Sequence, residues 1–178
     1  MIRLFTAVEM PETIRQELSS LEIGKSETLV PSTPEQLHIT LQFIGEVTES
    51  QSEELRERFL AIKFASFPQE LKGVGAFESD DRPGFLWTGV SISSQLVALR
   101  DAIGVEMEAV GMQLETRPYK PHITLARLDA PDSALVESFL SRNGDFATSF
   151  DVESFALYSS SRGADGPVFN VVERFNLL

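Results

Sequence analysis

Apolar and polar residues alternate over several short stretches of this sequence. From position 38 to position 43, apolar residues occupy every second position, namely Ile39, Leu41 and Phe43. This period of two is typical of a strand that buries one face. Further strands are predicted over 2–8, 71–77, 85–92, 150–158 and 168–177.

Four other segments have the 3.6-residue spacing of amphipathic helices. A capping box at Thr48 begins one of them, and another is opened by Pro131 and closed by Gly144. The remaining two helices follow Pro11 and Ser94. Because strands and helices mix without a regular β-α-β order, the pattern predicts an α+β fold with mostly antiparallel sheets.

The tetrapeptide His-Ile-Thr-Leu occurs twice, at 38–41 and at 122–125, and these copies contain the only two histidines of the chain. A proline-containing connection precedes each copy, and a predicted helix follows each. We therefore predict one bilobal domain over 1–178, built from two similar lobes of antiparallel sheet with helices outside. If the two motif strands face each other, the lobes enclose a central cleft with approximate two-fold symmetry.

The composition fits one folded domain and limits its partners. The 178 residues are 42% hydrophobic, and 15 basic against 27 acidic residues give a formal net charge of −12. A chain of this length buries roughly 70% of its unfolded surface. Because non-specific nucleic-acid binding depends on lysine and arginine, we expect this acidic protein to meet phosphate only at a local basic pocket.

Several classes of protein and of site are excluded by what the sequence lacks. No apolar run approaches the roughly 18 residues that cross a bilayer, and the opening MIRLFTAVEMPE has no signal-peptide pattern. The absence of cysteine excludes disulfides, cysteine-based metal sites and a thiolate nucleophile. We therefore expect a cytoplasmic monomer that does not bind membranes.

The repeated motif has a defined chemistry. On a strand, His38 and Thr40 project from one face, roughly 6.5–7 Å apart along the backbone, and His122 and Thr124 do the same. Two imidazoles can supply the base that activates water and the acid that protonates a leaving oxygen in phosphodiester hydrolysis. The two threonine hydroxyls can donate hydrogen bonds to the non-bridging phosphate oxygens.

Zinc is the main alternative to acid–base chemistry for paired histidines. A zinc site usually has three or four protein ligands, whereas this chain has two histidines, no cysteine and no H-E-x-x-H motif. We therefore predict that no metal and no other cofactor takes part.

The segments LHITLQFIG and RPYKPHITLAR resemble the paired H-x-T-x motifs of the two-histidine phosphoesterases. The similarity is most specific to the RNA 2′,3′-cyclic phosphodiesterases, historically named 2′-5′ RNA ligases. The opening RLFTAVEMP and the later FALYSSS also resemble strands of that family. The resemblance implies a two-lobed α+β fold and metal-independent opening of a 2′,3′-cyclic phosphate at an RNA or oligonucleotide end to a 2′-phosphomonoester.

The resemblance also implies roles for individual residues. His38 would be the proton donor and His122 the proton acceptor, although the symmetry of the motif leaves the two roles open. Arg127 matches the arginine that closes the second family motif and would contact phosphate. Strict alternation, however, places Arg127 on the face opposite His122 unless the strand bulges or ends near Ala126.

Four further residues could affect substrate binding. Lys120, in the loop before the second motif, could steer an anionic substrate, and surface charge is the alternative. Tyr158 could stack on a base, and a place in the core is the alternative. Arg162 and Phe169 depart from the family pattern, which has an apolar residue and a tyrosine at these positions.

Two other functions use the same cleft. An RNA-end binding protein would hold a terminal phosphate without turnover, and a 2′-5′ RNA ligase would run the hydrolytic chemistry in reverse. The presence of both histidines favours the enzyme over the binding protein.

Overall fold

The two copies of the repeated tetrapeptide begin strands that belong to different sheets. The computed structural model describes residues 1–178. Its strands are β1 (Ile2–Glu9), β2 (Leu29–Pro31), β3 (His38–Val47), β4 (Phe67–Phe77), β5 (Gly84–Val90), β6 (His122–Leu128), β7 (Ala147–Val152), β8 (Ser154–Gly163) and β9 (Gly166–Asn176). Its helices are α1 (Glu12–Ser19), α2 (Glu49–Leu60), α3 (Ser94–Ala109) and α4 (Ser133–Asn143), with a short 3-10 helix over Pro34–Gln36.

All strand pairs are antiparallel, and they form two sheets. The first sheet has the order β3-β1-β8-β9 and the second has the order β2-β6-β5-β4-β7. We call them, with their helices, the first and the second lobe. This arrangement confirms the predicted α+β class with two antiparallel-sheet lobes.

The capping signals in the sequence mark where helices begin. Thr48 Oγ1 accepts a hydrogen bond from the Gln51 amide at 3.2 Å, and Gln51 Oε1 accepts one from the Thr48 amide at 2.9 Å. A cap of this kind contributes about 1 kcal/mol to stability. The longest helix, α3, has 16 residues, and none of the helices is both long enough and apolar enough to span a membrane.

One predicted strand, 150–158, is two strands in the structure. β7 pairs with β4 in the second lobe, whereas β8 pairs with β1 in the first lobe. The chain changes sheets at Glu153, although Val152 before it and Phe155 after it are apolar and buried. Local periodicity cannot reveal this change, because it reports burial and not the partner strand.

The main core has 30 buried residues and includes Ile39, Leu41, Ile123 and Leu125, the apolar positions of both motifs. A second, smaller cluster of four buried residues lies on the opposite face of the first sheet, beside His38. Its members are Phe5, Ala7, Ala156 and Tyr158. The first lobe therefore presents an aromatic surface on the face that carries the first motif.

Both motif strands contain a β-bulge at the same position of the repeat. In β3, Thr40 pairs with Ala7 and Gln42 pairs with Thr6, so Leu41 has no partner. In β6, Thr124 pairs with Trp87 and Ala126 pairs with Leu86, so Leu125 has no partner. A bulge adds one residue to a strand, and it therefore reverses the faces of the residues beyond it.

The bulge in β3 corrects the alternation predicted for positions 38–43. The alternation predicts Gln42 on the polar face with His38, but Gln42 is only 2% exposed and its Nε2 donates to the Arg100 carbonyl at 3.1 Å. It predicts Phe43 on the core face, but Phe43 is 59% exposed and its ring centroid lies 6.4 Å from that of Phe5. The alternation is therefore wrong beyond Leu41, because it assumes an unbroken ladder.

The segment before each motif is hydrogen-bonded to the other motif. Ser32, at the end of β2, donates from Oγ to the Thr124 carbonyl at 3.1 Å and from its amide to the Leu125 carbonyl at 2.8 Å. Tyr119, in the loop before β6, donates its hydroxyl to the Thr40 carbonyl at 2.7 Å. We call these three bonds the crossed ties. They join the segment that precedes each motif to the strand of the other motif.

Candidate active site

His38 is the first residue of β3, and its ring is held by two hydrogen bonds. Nδ1 lies 2.6 Å from the Gln36 carbonyl and Nε2 lies 3.1 Å from Thr40 Oγ1. Because a carbonyl only accepts hydrogen bonds, Nδ1 carries a proton in both charge states. Nε2 is therefore the nitrogen that gains or loses a proton.

His122 is held in the same way at the start of β6. Its Nδ1 lies 2.8 Å from the carbonyl of Lys120, again two residues earlier in the chain. Its Nε2 makes no hydrogen bond within the protein. The proline-containing connections thus place a backbone carbonyl that holds Nδ1 of each imidazole. Nε2 then faces the Thr40 hydroxyl in the first motif and has no partner in the second.

The structure brings His38, Thr40, His122 and Thr124 to one cleft. Strands β3 and β6 contact each other although they belong to different sheets. The two histidines are near enough that the charge of His122 affects the ionisation of His38. The arrangement predicted from the repeat is therefore present, with one imidazole and one hydroxyl from each lobe. No group of three or more histidine, aspartate and glutamate side chains is arranged to hold a metal ion.

The pKa of His38 lies below its ordinary value. Burial is the main cause, because it disfavours the charged imidazolium. The hydrogen bond to the Gln36 carbonyl acts in the opposite direction, and the charge of His122 lowers the pKa further. The free protein therefore favours neutral His38.

Aromatic rings flank both imidazoles. The His38 ring centroid lies 5.2 Å from Phe5 and 5.4 Å from Phe169. The His122 ring centroid lies 5.3 Å from Phe77 and 6.1 Å from Trp87. The sequence does not identify Phe5, Phe77 or Trp87, because only the folded sheets bring them beside the motifs.

Arg127 lies on the same face as His122 and Thr124, as a result of the bulge at Leu125. Its Nε donates to Asp129 Oδ1 at 2.6 Å, and Nη2 lies 3.4 Å from Oδ2. This pair leaves Nη1 without a carboxylate partner. The alternative of an unbulged strand with Arg127 on the opposite face therefore does not hold.

Nη1 of Arg127 points to the hairpin between β8 and β9 in the other lobe. A Cβ built on Gly166 would lie 3.1 Å from this nitrogen, and Gly166 has a φ of +127°. The positive φ therefore favours glycine at this turn. Arg127 occupies the place in the second motif that Phe43 occupies in the first, so the two halves of the cleft differ in chemistry.

Lys120 and Tyr158 are less directly placed for substrate. The Lys120 side chain is exposed in the loop, and its carbonyl orients His122. Tyr158 is 4% exposed and stacks on Phe5 with centroids 5.0 Å apart. Burial also raises the pKa of the Tyr158 hydroxyl. This environment favours the core alternative for Tyr158.

The lowered pKa of His38 should make stability depend on pH. Between the ordinary pKa of about 6.5 and the lowered folded value, the unfolded chain binds more protons at this site. The stabilisation from neutral His38 is complete above about pH 6.5 and is lost as the pH falls through the folded value. Between about pH 7 and about pH 5, the wild-type protein should therefore lose more unfolding free energy than His38→Gln, by at most about 1.4 kcal/mol per pH unit.

Urea unfolding at several pH values measures this difference. The carboxylates titrate in both proteins, so the comparison isolates position 38. Equal pH dependence in the two proteins would contradict the lowered pKa.

Comparison with known proteins agrees with the geometry of the cleft. The family model described as the 2′-5′ RNA ligase superfamily matches residues 10–164. An RNA 2′,3′-cyclic phosphodiesterase from Aeropyrum pernix is 37% identical over 142 residues, which are 78% of this chain and 80% of that protein. A protein of the same name from Thermus thermophilus is 34% identical over 187 residues, covering 99% of this chain and 90% of that protein.

A solved structure has the same fold. Escherichia coli LigT in complex with 3′-AMP matches with a TM-score of 0.81 and 26% sequence identity, over 99% of this chain and 98% of that chain. Sequence, fold and the paired histidine motifs thus agree, and the chain belongs to the 2′-5′ RNA ligase superfamily.

Proposed function

We propose that this protein is an RNA 2′,3′-cyclic phosphodiesterase that acts on RNA ends or short oligonucleotides in the cytoplasm. The observation that carries the proposal is the pair of imidazoles in one cleft, each oriented by a carbonyl two residues earlier. Both relatives described above are named RNA 2′,3′-cyclic phosphodiesterase. A cyclic phosphate needs an acid and a base on opposite sides of phosphorus, and this pair can supply both.

In the proposed reaction, Nε2 of His122 takes a proton from water as the water oxygen attacks phosphorus. The bond between phosphorus and the 3′ oxygen breaks, and Nε2–H of His38 gives its proton to that oxygen. The product keeps the bond to the 2′ oxygen, so it is a 2′-phosphomonoester with a free 3′ hydroxyl. Thr40, Thr124 and Arg127 stabilise the charge on the non-bridging oxygens.

The proton-donor role of His38 requires a change on substrate binding. Burial favours neutral His38 in the free protein, whereas a donor must be protonated. A bound phosphate brings negative charge near the imidazole, and such a charge raises the pKa of a histidine. We therefore assign protonation of His38 to the substrate complex.

One chain supplies every residue of the proposed site. His38, Thr40, His122, Thr124 and Arg127 all lie in one polypeptide and face one cleft. The site is therefore complete without a second copy. We accordingly propose that the monomer is the active form.

Product analysis on a short RNA that ends in a 2′,3′-cyclic phosphate tests the function. We expect conversion to the 2′-phosphate, with the same rate after exhaustive treatment with EDTA, because the mechanism uses protein side chains alone. Exclusive formation of a 3′-phosphate would contradict the assigned bond cleavage. A rate lost in EDTA and restored by Zn²⁺ or Mn²⁺ would contradict the metal-independent mechanism. An unchanged cyclic phosphate would indicate binding without turnover.

A further inference from the structure

Two arginines in the first lobe differ from most others in having no carboxylate partner. Eight of the eleven arginines form ion pairs. The exceptions are Arg3, Arg82 and Arg162. In a protein with a net charge of −12, arginines outside ion pairs are the minority, and Arg3 and Arg162 line the same cavity.

This cavity has a volume of about 360 Å³ and is lined by Met1, Arg3, Glu46, Ser160, Ser161 and Arg162. Glu46 lies opposite Arg3 in the pairing of β1 with β3, but no ion pair within 4 Å joins its carboxylate to either arginine. The two guanidinium groups therefore exceed the single carboxylate by one positive charge. The serine hydroxyls can also donate hydrogen bonds to phosphate oxygens.

The strand register places the cavity on the face of the first sheet that carries His38. Arg3 pairs with Ser160 and Phe5 pairs with Tyr158, without a register shift between these pairs. Arg3 and Phe5 therefore share a face, and Phe5 lies 5.2 Å from the His38 ring. Two residues along β1 correspond to about 7 Å. Successive phosphates of a stacked strand are about 3.4 Å apart along its axis. The distance from the His38 imidazole to the cavity therefore corresponds to a few nucleotides.

We propose that Arg3 and Arg162 form a second phosphate site, which binds a backbone phosphate of the RNA strand upstream of its cyclic end. This proposal rests on the proposed function. A guanidinium can form two parallel hydrogen bonds to one phosphate. The effect of the second phosphate site is to favour an oligonucleotide over a mononucleotide.

The test compares kcat/KM for a short oligonucleotide and for a mononucleotide, both ending in a 2′,3′-cyclic phosphate. In Arg162→Ala and Arg3→Ala, the ratio of oligonucleotide to mononucleotide kcat/KM should fall about tenfold, as expected for a lost hydrogen bond to a charged group. The salt dependence of oligonucleotide KM should also become weaker, by about 0.7 in the logarithmic slope per lost phosphate contact.

Three comparisons make the test specific. Arg142→Ala removes an arginine on the outer helix α4, where it pairs with Glu22, and should leave the ratio unchanged. For an oligonucleotide with neutral methylphosphonate linkages, kcat/KM in the wild-type protein should not exceed that of the mononucleotide. Arg162→Ala should not lower this ratio further. Free inorganic phosphate should reduce the oligonucleotide advantage if the site binds phosphate from any source.

The outcomes separate this proposal from the function it rests on. If the wild-type protein converts neither substrate, the proposed function fails. If it converts the mononucleotide but the ratio is the same in wild type, Arg3→Ala and Arg162→Ala, the second phosphate site is wrong. An equal fall in Arg142→Ala would also overturn it, because the effect would then be one of overall charge.

Discussion

Replacing either His38 or His122 with alanine should lower kcat by about 10²–10⁴-fold, the range that general acid–base catalysis contributes. Each variant removes one of the two Nε2 atoms that the cleft presents. The double variant should lose less than the product of the two single losses, because residues that act as a unit are not additive. Turnover of a cyclic phosphate substrate measures the effect.

Folding provides the control for these variants. Both rings lie at the cleft and outside the main core of 30 residues, so the alanine variants should retain a cooperative unfolding transition. Near-normal kcat in either single variant would contradict the two-histidine mechanism. If an alanine variant loses both its activity and its cooperative unfolding transition, the larger glutamine is used at that position instead of alanine.

The pH dependence of the same variants assigns the two roles. The wild-type profile of kcat/KM should be bell-shaped, because one imidazole must be neutral while the other is protonated. The two apparent pKa values belong to the interacting pair, so the single variants make the assignment. If His38 is the donor, His38→Ala should remove the alkaline limb and His122→Ala the acid limb. The reverse result would exchange the roles and keep the mechanism.

Arg127→Ala should lower kcat/KM by about 10²–10³-fold, the usual effect of removing one donor that stabilises a developing oxyanion. The bulge at Leu125 turns this side chain to the face of His122, and Asp129 holds Nε and Nη2. Nη1 is then the group available to a phosphate oxygen. Steady-state kinetics on a cyclic mononucleotide measures the loss.

Two further variants test whether the guanidinium geometry matters. Arg127→Lys keeps the charge but loses the planar fork, so it should recover only a small part of the activity. Arg142→Ala, on the outer surface of the second lobe, should behave as wild type. Full activity in Arg127→Lys would show that charge alone is required, and full activity in Arg127→Ala would exclude a phosphate contact.

Local sequence patterns predicted the chemistry of the site better than the positions of its neighbours. The repeat placed His38, Thr40, His122 and Thr124 together, because alternation holds within four residues and both motifs have the same bulge. Prediction failed at Phe43 and Gln42, immediately beyond the first bulge. A bulge is a property of two paired strands, and the partner of β3 lies some thirty residues away.

The same limit explains the other differences. The sequence predicted an apolar alternating segment at 150–158, but its division between two sheets depends on pairing with β4 and β1. The three-residue strand β2 is too short for any period to show. The unpaired state of Arg3 and Arg162 likewise depends on which carboxylates the fold brings near, and no local pattern reports this.

The crossed ties have a consequence for how the protein folds. The short strand β2 lies before the first motif in the sequence but pairs with the strand of the second motif. Conversely, Tyr119 lies before the second motif, and its hydroxyl donates to the Thr40 carbonyl in the first motif. Neither half of the sequence therefore contains all the hydrogen bonds that support its own catalytic strand. Although the sequence is an internal repeat, its halves are not interchangeable modules, and separating them would remove partners from both. The two lobes should consequently unfold as one cooperative unit, with the cleft already in its binding shape before any ligand arrives.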